Sequence, residues 1–358
     1  MSDAGAGTPF PRLIVDLGAL ARNHGRLSAL APGAEAAAVV KAGAYGLDAG
    51  RLGSALAEAG CRTFFTATAS EGAALREAAG ADARIFVLNG YRPEERALFA
   101  GHALIAVLNS PAEIAAFARD APGASAVHID TGMNRLGLTL DEARTLADDA
   151  ALRARIGLVH VMSHLACSDT PAHPMNRVQL ERFLAVSALF EGVERSLSNT
   201  GGVLLGPDYH FDLVRPGIGL YGGSPVGLKA HPFEPVIRIE TPILQLRRVP
   251  EGETVGYGAG WTAPRDSLTA TVALGYADGL MRAAEGGFAR ISGHKAQLVG
   301  RVSMDLCVLD VTGLDVRPGA TAVFLGEDLE DLASAAGTIG YELITRLGRR
   351  FNRTFENG

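Results

Sequence analysis

The sequence has 358 residues, of which 47% are hydrophobic and 20% charged, and it carries a formal net charge of -6 at pH 7. This length suits two domains, and this composition excludes a disordered chain. The acidic balance, without a cluster of Lys and Arg, argues against a nucleic-acid partner. We therefore expect a globular protein that acts on a small molecule.

The cysteines and the apolar runs indicate where the protein works. Cys61, Cys167 and Cys307 lie far apart without CxxC spacing, which predicts no metal site and no disulfide framework. No apolar run reaches the roughly 20 residues of a transmembrane helix. The N-terminal residues 1–10 lack the basic start and apolar run of a secretory signal. We expect a cytoplasmic protein without a membrane partner.

Short apolar runs alternate with helical segments in the first two thirds of the chain. The runs predict strands at 36–41, 63–67, 84–88, 104–108, 126–130, 157–162, 195–198 and 211–214. Segments with one apolar face predict helices between them, for example at 51–60, 69–79 and 174–192. Eight alternating units predict an α/β fold of the TIM-type, a (β/α)8 barrel.

The pattern changes after the Pro- and Gly-rich stretch at 222–235. Closely spaced strands with polar alternation and glycine turns follow, and a pair of helical segments closes the chain. We therefore predict a barrel domain over residues 1–232 and a mainly β domain over residues 233–358.

Lys41 is the first candidate reactive residue, because chemistry in a parallel barrel takes place at the carboxyl ends of the strands. It ends the first predicted strand. An amine at the rim of an apolar barrel is partly desolvated, which lowers its pKa and favours Schiff-base formation. A lysine can also lay its stem along apolar surface with only the charge in water, and position alone favours that structural role.

Several short segments carry a resemblance to a known family. They are VKAGAYG (40–46), HIDTGMNRLG (128–137), MSHLACSD (162–169), SNTGG (198–202), RPGIGLYG (215–222), VGYGAGW (255–261), ALGYADG (273–279) and GRVSMD (300–305). In this order, and over nearly the whole chain, they are similar to motifs of the alanine racemases. Members of that family depend on pyridoxal 5'-phosphate.

The resemblance implies a set of site residues. Lys41 would carry the cofactor, and Lys41 and Tyr257 would be the two catalytic residues. Further cofactor contacts would come from Tyr45, His164, Thr200, Arg215, Gly217 and Ile218. Substrate contacts would come from Arg135, Tyr276 and Met304. In the family the tyrosine belongs to the second subunit, so the resemblance also implies a homodimer with shared sites.

Four positions depart from the family pattern. Arg349 stands where some members have a tyrosine that touches the substrate pocket. Gly43 stands where asparagine is common, and Ser196 stands where some members have a histidine behind the ring-nitrogen arginine. His128 stands where many members have a modified lysine that holds the substrate arginine. Another group, the imidazole itself or a bound anion, must therefore support Arg135.

The implied reaction interconverts L-alanine and D-alanine by two bases on opposite faces of the substrate. A racemase of serine or of a broader amino-acid set is one alternative. A fold-related decarboxylase and a non-catalytic pyridoxal-phosphate carrier are others, although the carrier would consist of the barrel alone. The sequence leaves open whether D-alanine is made for peptidoglycan or consumed.

Overall fold

The computed structural model describes residues 11–225 and 231–358. These residues form two compact units. The barrel unit contains the chain between Leu20 and Leu220, and the β unit contains strand β1 (Arg12–Asp16) together with the chain from Glu234 onward. Among the described residues, no helix is long and apolar enough to cross a membrane.

Strands and helices alternate along the barrel unit. They are α1 (Leu17–Leu30), β2 (Glu35–Ala36), β3 (Ala38–Val39), α2 (Lys41–Tyr45), α3 (Ala49–Glu58), β4 (Thr63–Thr66), α4 (Ala69–Ala79), β5 (Arg84–Val87), α5 (Arg96–Gly101), β6 (Leu104–Leu108), α6 (Pro111–Asp120), β7 (Ser125–His128), α7 (Leu140–Asp148), α8 (Ala150–Arg155), β8 (Leu158–Met162), α9 (Pro174–Ser187), β9 (Glu194–Ser196), α10 (Thr200–Leu205) and β10 (Leu213–Val214). Short 3-10 helices lie at Pro93–Glu95, Pro207–Tyr209 and Ile218–Tyr221.

The parallel strands close into a ring. Strands β3 to β9 form a seven-stranded sheet in sequence order, and β10 pairs in parallel with β2, which Ala37 alone separates from β3. The segments of β9 and β10 are joined by backbone hydrogen bonds from Asp212 N to Arg195 O (3.0 Å) and from Arg215 N to Ser198 O (2.8 Å). The predicted eight-position (β/α)8 barrel is confirmed.

Two element boundaries differ from the sequence prediction. The last barrel strand is only two residues long, and the helix predicted at 174–192 ends at Ser187. The amides of Leu189 and Phe190 bond three residues back, to Val186 and Ser187. The apolar pattern extends to Phe190, which packs inward although Leu189 is exposed and the helix has already tightened into turns.

The barrel interior is filled by aromatic side chains. Phe65 and Phe86 are completely buried, and their rings stack with their centroids 4.7 Å apart. The neighbouring Phe64 is also completely buried, but it lies on the outer face of β4. Such packing makes the barrel a solid core rather than a pore. Function must therefore lie at the strand ends.

The β unit contains the remaining strands. They are β11 (Ile237–Val249), β12 (Thr254–Val255), β13 (Trp261–Thr262), β14 (Ser267–Val272), β15 (Phe288–Ile291), β16 (His294–Leu298), β17 (Cys307–Asp310), β18 (Thr321–Leu325) and β19 (Asn352–Glu356), with helices α11 (Leu329–Ala335) and α12 (Gly340–Thr345). Short 3-10 helices lie at Tyr257–Ala259, Tyr276–Asp278 and Gly326–Asp328.

An eight-stranded sheet organises the β unit. Its order is β14-β17-β16-β15-β18-β11-β1-β19, and an additional pairing of β14 with β11 closes six of the strands into a ring. The long strand β11 makes this possible, because its first half pairs with β18 and its second half with β14. The predicted mainly β fold of this region is confirmed.

Strand β1 is an element that the sequence pattern does not predict. It precedes the barrel in the chain, yet it pairs antiparallel with β11 and parallel with β19. An apolar strand followed by a helix has the same local sequence pattern in either sheet. Only the long-range pairing therefore shows that β1 belongs to the sheet of the β unit. The domain limits 1–232 and 233–358 stay a prediction.

Candidate active site

Lys41 begins α2, which is a left-handed turn rather than a regular α-helix and directly follows the first barrel strand. Ala42, Gly43, Ala44 and Tyr45 have φ angles of 54°, 64°, 54° and 57°. A left-handed conformation costs a residue with a side chain roughly 1–2 kcal/mol, so the surrounding structure must hold this turn. Gly43 fits the turn without strain, and asparagine tolerates the same conformation, which accounts for the departure at this position.

Glu71, in the first turn of α4, holds this segment through its carboxylate. One oxygen accepts the N–H of Ala42 at 2.9 Å, and the other accepts the N–H of Ala67 at 2.8 Å. The carboxylate therefore ties the turn that carries Lys41 to the end of the neighbouring strand β4.

The amine of Lys41 is tuned by its surroundings. Burial of the amine lowers its pKa, the positive charge of Arg135 lowers it further, and Glu71 acts in the opposite direction. The lysine side chain still reaches solvent. A larger neutral fraction of an accessible amine at neutral pH favours attack on a carbonyl carbon.

Arg215 lies buried just after the last barrel strand. Its guanidinium donates to Ser196 Oγ, to the carbonyl oxygen of Ser163 (2.5 Å) and to that of Leu197 (3.4 Å). Burial lowers the pKa of Arg215 to about 9, so the group remains charged at neutral pH. Ser196 thus supports Arg215 at the position where some family members have a histidine.

His164 follows strand β8 and lies beside this guanidinium. Arg215 Nη2 is 3.5 Å from His164 Nδ1. Burial, followed by the charges of Arg215 and Arg135, keeps the pKa of His164 well below its usual value. A neutral ring whose Nδ1 faces a donor presents an apolar face to any flat ligand at the rim.

His128 ends strand β7 and is also neutral. Its Nδ1 is 3.0 Å from Asn109 Oδ1, while the Asn109 amide donates to the carbonyls of Leu88 (3.2 Å) and Val107 (2.8 Å). Nδ1 therefore carries the proton, and Nε2 is an acceptor. Burial, then the charge of Arg215, lowers the pKa of His128 to about 4. The imidazole can accept a hydrogen bond but adds no positive charge.

Arg135 lies on the loop between β7 and α7. This loop is fixed at its base, because Leu138 N donates to His128 O (2.8 Å) and Asp130 Oδ1 accepts the N–H groups of Gly132 (2.8 Å) and Met133 (2.9 Å). The Arg135 side chain is exposed. A rigid loop with an exposed guanidinium at its tip suits the binding of a carboxylate.

Thr200, Tyr45 and Gly217 form a hydroxyl-rich corner of the barrel rim. The hydroxyl of Thr200 accepts the N–H groups of Gly217 (3.0 Å) and Gly219 (3.3 Å). A Cβ on Gly217 would lie 2.3 Å from the hydroxyl oxygen of Tyr45, so a larger residue here would displace this hydroxyl. Ile218, which follows, is completely buried. The amide of Gly217, which is one of the predicted cofactor contacts, thus donates to Thr200 here.

The donor set of the barrel rim suits pyridoxal phosphate. Besides burial, the charges of Arg215, Arg135 and Lys41 lower the pKa of His164, so positive charge is concentrated at this part of the rim. A phosphate and a substrate carboxylate would neutralise these charges. Lys41 would supply the amine, and Tyr45 and Thr200 would supply hydroxyls for the phosphate.

The remaining predicted residues belong to the β unit. Tyr257 lies between Gly256 (φ 80°) and Gly258 (φ 73°) and is 70% exposed. Tyr276 and Met304 are 40% and 53% exposed. Two backbone hydrogen bonds join their loops, from Tyr276 N to Ser303 O and from Ala277 N to Met304 O.

The fold and the lysine-centred rim define the class of the protein, an α/β-barrel enzyme that pairs a reactive amine with anion-binding groups. Residues 15–225 match the alanine racemase N-terminal domain, and residues 236–355 match the alanine racemase C-terminal domain. The chain therefore belongs to the alanine racemase family.

Individual relatives match over nearly the full length. An alanine racemase of Rhizobium meliloti is 48% identical over 97% of both chains. A biosynthetic alanine racemase of Agrobacterium fabrum is 46% identical, over 96% of this chain and 93% of its own. The crystal structure of alanine racemase from Bartonella henselae with covalently bound pyridoxal phosphate covers 97% of this chain and 100% of its own, with a TM-score of 0.90 and 34% identity.

Sequence reasoning missed the residues that support the reactive groups. Glu71 lies in a T-x-x-E pattern that predicts local helix capping, and Thr68 does cap α4. The Glu71 carboxylate instead bonds to Ala67 and reaches across to Ala42. Asn109 follows a buried strand, which is a signal that could have marked it as a residue at the barrel rim.

Proposed function

We propose that this protein interconverts L-alanine and D-alanine, with Lys41 and Tyr257 as its two proton-transferring residues. Membership of the alanine racemase family makes it a pyridoxal-phosphate-dependent enzyme. The observation that carries the assignment of residues is the rim of the barrel, where an amine of lowered pKa lies among guanidinium groups.

Each residue of the barrel rim has a role in the reaction that follows from its chemistry. Pyridoxal phosphate, when bound, supplies the electron sink that acidifies the Cα–H bond of the amino acid. Lys41 holds the cofactor and then moves the proton of the D-isomer. Arg135 binds the substrate carboxylate through its planar fork. Arg215 would donate to the ring nitrogen of the cofactor and, because the guanidinium keeps its proton, would leave that nitrogen unprotonated. The ring would then be a weaker electron sink than with an acidic partner, which would limit side reactions.

Tyr257 moves the proton of the L-isomer on the opposite face, and we propose that it comes from a second copy of the chain. The exposure of Tyr257, Tyr276 and Met304 supports this proposal, because large apolar side chains grouped on a surface commonly mark an interface. The active unit is then a homodimer with two shared sites.

The net direction of the reaction in the cell depends on the concentrations of L-alanine and D-alanine rather than on the structure of the site. Two enantiomers have equal free energy in water, so a racemase drives neither direction by itself. The same protein can supply D-alanine for peptidoglycan or remove it. We propose the cytoplasm as its location, which agrees with the free cysteines Cys61, Cys167 and Cys307.

The first experiment measures D-alanine formation from L-alanine by the protein loaded with pyridoxal phosphate. We expect turnover that falls at least about 1000-fold in Lys41→Ala, because the variant lacks both the cofactor anchor and one base. Lys295→Ala is the matched control, since Lys295 is an exposed lysine of the β unit. Full activity in Lys41→Ala would refute the assignment.

Substrate range is tested in the same assay. A panel with L-serine and longer amino acids compares kcat/KM values. We expect alanine to be preferred; a preference for serine or for several amino acids would favour the broader racemase. Cofactor binding without turnover of any amino acid would favour the carrier.

The shared site is tested by mixing two inactive variants, Lys41→Ala and Tyr257→Phe. A mixed dimer contains one site in which both residues are intact. Random mixing should therefore restore about a quarter of the wild-type activity, since half of the dimers are mixed and each has one working site. Inactive, verified mixed dimers would show that each subunit builds its own site.

A further inference from the structure

We propose that Arg350, which lies outside the site predicted from the sequence, is a positioning residue that sets substrate binding. It joins two loops of the β unit, the tyrosine loop (residues 275–279) and the methionine loop (residues 303–305). These loops carry the predicted substrate contacts Tyr276 and Met304, so the inference rests on the proposed function.

Arg350 binds the tyrosine loop through two hydrogen bonds to one carboxylate. Its Nε donates to Asp278 Oδ1 at 2.8 Å, and its Nη2 donates to Asp278 Oδ2 at 3.0 Å. Asp278 is completely buried, and its Oδ2 also accepts the N–H of Gly275 at 2.9 Å. A bidentate pair of this kind fixes direction as well as distance. The carboxylate has this arginine as its only cationic partner among the described residues.

The third nitrogen of the same guanidinium holds the methionine loop. Arg350 Nη1 donates to Asp305 Oδ1 at 2.6 Å. Asp305 directly follows Met304 in the chain. One planar group therefore links carboxylates from two loops, and its rigid shape sets their spacing.

The two loops also touch through their backbones. Tyr276 N donates to Ser303 O at 3.0 Å, and Ala277 N donates to Met304 O at 2.9 Å. A Cβ on Gly275 would lie 2.2 Å from Met304 O, so the approach requires glycine. A change in the spacing of the loops would break these contacts and move Tyr276 and Met304 together.

The C-terminal segment that carries Arg350 is itself hydrogen-bonded to the tyrosine loop. Gly348 N donates to the carbonyl oxygen of Asp278 at 2.9 Å. The guanidinium thus acts from a fixed base. Tyr276 is 40% exposed and Met304 is 53% exposed, so the unit's own core holds these side chains only in part. Their positions depend on the loop backbones that Arg350 joins.

The test compares Arg350→Lys with two other variants. Lysine keeps the charge but cannot contact both carboxylates in one plane. Asp305→Ala removes only the outer contact and replaces an exposed residue. Arg346→Lys is the matched control, because Arg346 makes an exposed ion pair with Glu342 four residues away. All three are loaded with pyridoxal phosphate and assayed with L-alanine, D-alanine and L-serine.

We expect Arg350→Lys to raise the KM for alanine about tenfold, to change kcat less than about threefold, and to weaken the preference for alanine over serine. Asp305→Ala should shift the same quantities in the same direction by about threefold. Arg346→Lys should match the wild type. Wild-type activity reports on the proposed function, whereas the ratios between variant and wild type report on Arg350.

Hydrogen exchange gives a second measurement that does not depend on turnover. The amides of Tyr276 and Ala277 should exchange faster in Arg350→Lys than in the wild type, while the amides of β14 exchange at unchanged rates. Wild-type KM and alanine preference in both Arg350→Lys and Asp305→Ala would overturn the proposal. So would unchanged exchange at Tyr276 and Ala277. If Arg350→Lys fails to fold, Asp305→Ala decides alone.

Discussion

At the amino ends of the barrel strands, charges are paired. Arg84 donates to Glu194 and Glu35, at 2.6 Å each, and its Nε donates to Thr63 at 2.9 Å. His160 Nδ1 lies 3.5 Å from Glu194, at the outer limit of a hydrogen bond, so Arg84 is the stronger partner of this carboxylate. Five strands contribute to this network, in which one arginine is shared by two carboxylates and no positive charge is left over.

At the carboxyl ends of the same strands, positive charge is left over. Lys41, Arg135 and Arg215 act on one neutral histidine, and Glu71 is the acidic residue that acts on the lysine. A network of paired charges stabilises the fold, whereas an excess of positive charge at the strand ends suits the binding of an anion. The barrel thus uses one end for stability and the other for chemistry.

Substitution of Arg215 should have the largest effect. We expect Arg215→Lys to lower kcat about 100-fold or more, because lysine keeps a charge but cannot reach Ser196 and Ser163 together. Arg195→Lys is the matched control, since Arg195 forms a more exposed ion pair with Asp212 in the same barrel. Steady-state kinetics with a thermal unfolding scan separate lost catalysis from lost folding. Near-normal turnover in Arg215→Lys would contradict the assignment of chemistry to the carboxyl ends of the barrel strands.

Substitution of Glu71 should have an intermediate effect. Glu71→Ala removes both hydrogen bonds to the backbone and should lower kcat about tenfold by loosening the lysine turn. Glu71→Gln keeps acceptor capacity and should lose less activity. Glu77→Gln, on the exposed face of the same helix, is the control.

The two Glu71 variants also separate geometry from charge. Because Glu71 raises the pKa of Lys41, either variant should lower that pKa and increase the neutral fraction of the amine at a given pH. The rate of acylation of Lys41 in the cofactor-free protein, measured against pH, reports this shift. An unchanged profile in both variants would show that the carboxylate acts only on the turn.

Substitution at the amino end should leave activity unchanged within about twofold and act on stability alone. We expect Glu194→Gln to lower the free energy of unfolding at pH 7 by about 1 kcal/mol, since the ion pair is partly exposed. Glu191→Gln, an exposed neighbour, is the control. A large loss of turnover in a folded Glu194→Gln protein would contradict the division between the two ends.

The loss of unfolding free energy in Glu194→Gln should become smaller as the pH falls. His160 and Arg84 lower the pKa of Glu194 from 4.5 to about 2 in the folded protein. Its ionised form therefore stabilises the fold above about pH 4.5, and this contribution disappears as the pH falls towards 2. Urea unfolding at pH 7 and at pH 3.5 should show a smaller difference between wild type and Glu194→Gln at the lower pH.

The alternation of apolar runs predicts the barrel, because each parallel strand must be apolar and each covering helix must have one apolar face. The same rule places Lys41, His164 and Arg215 at strand ends. It fails for β1, whose apolar pattern suits either sheet, and only its pairing with β11 and β19 assigns it.

By itself, the sequence determined the order of the elements, the family and the residues that carry reactive groups, since these depend on local pattern and on short motifs. Tertiary structure alone decided which residues support them. Glu71 reaches Ala42, Asn109 sets the proton of His128, and Arg350 links Asp278 to Asp305. Such contacts join residues from 19 to 72 positions apart, and no periodic pattern encodes a hydrogen bond across that distance.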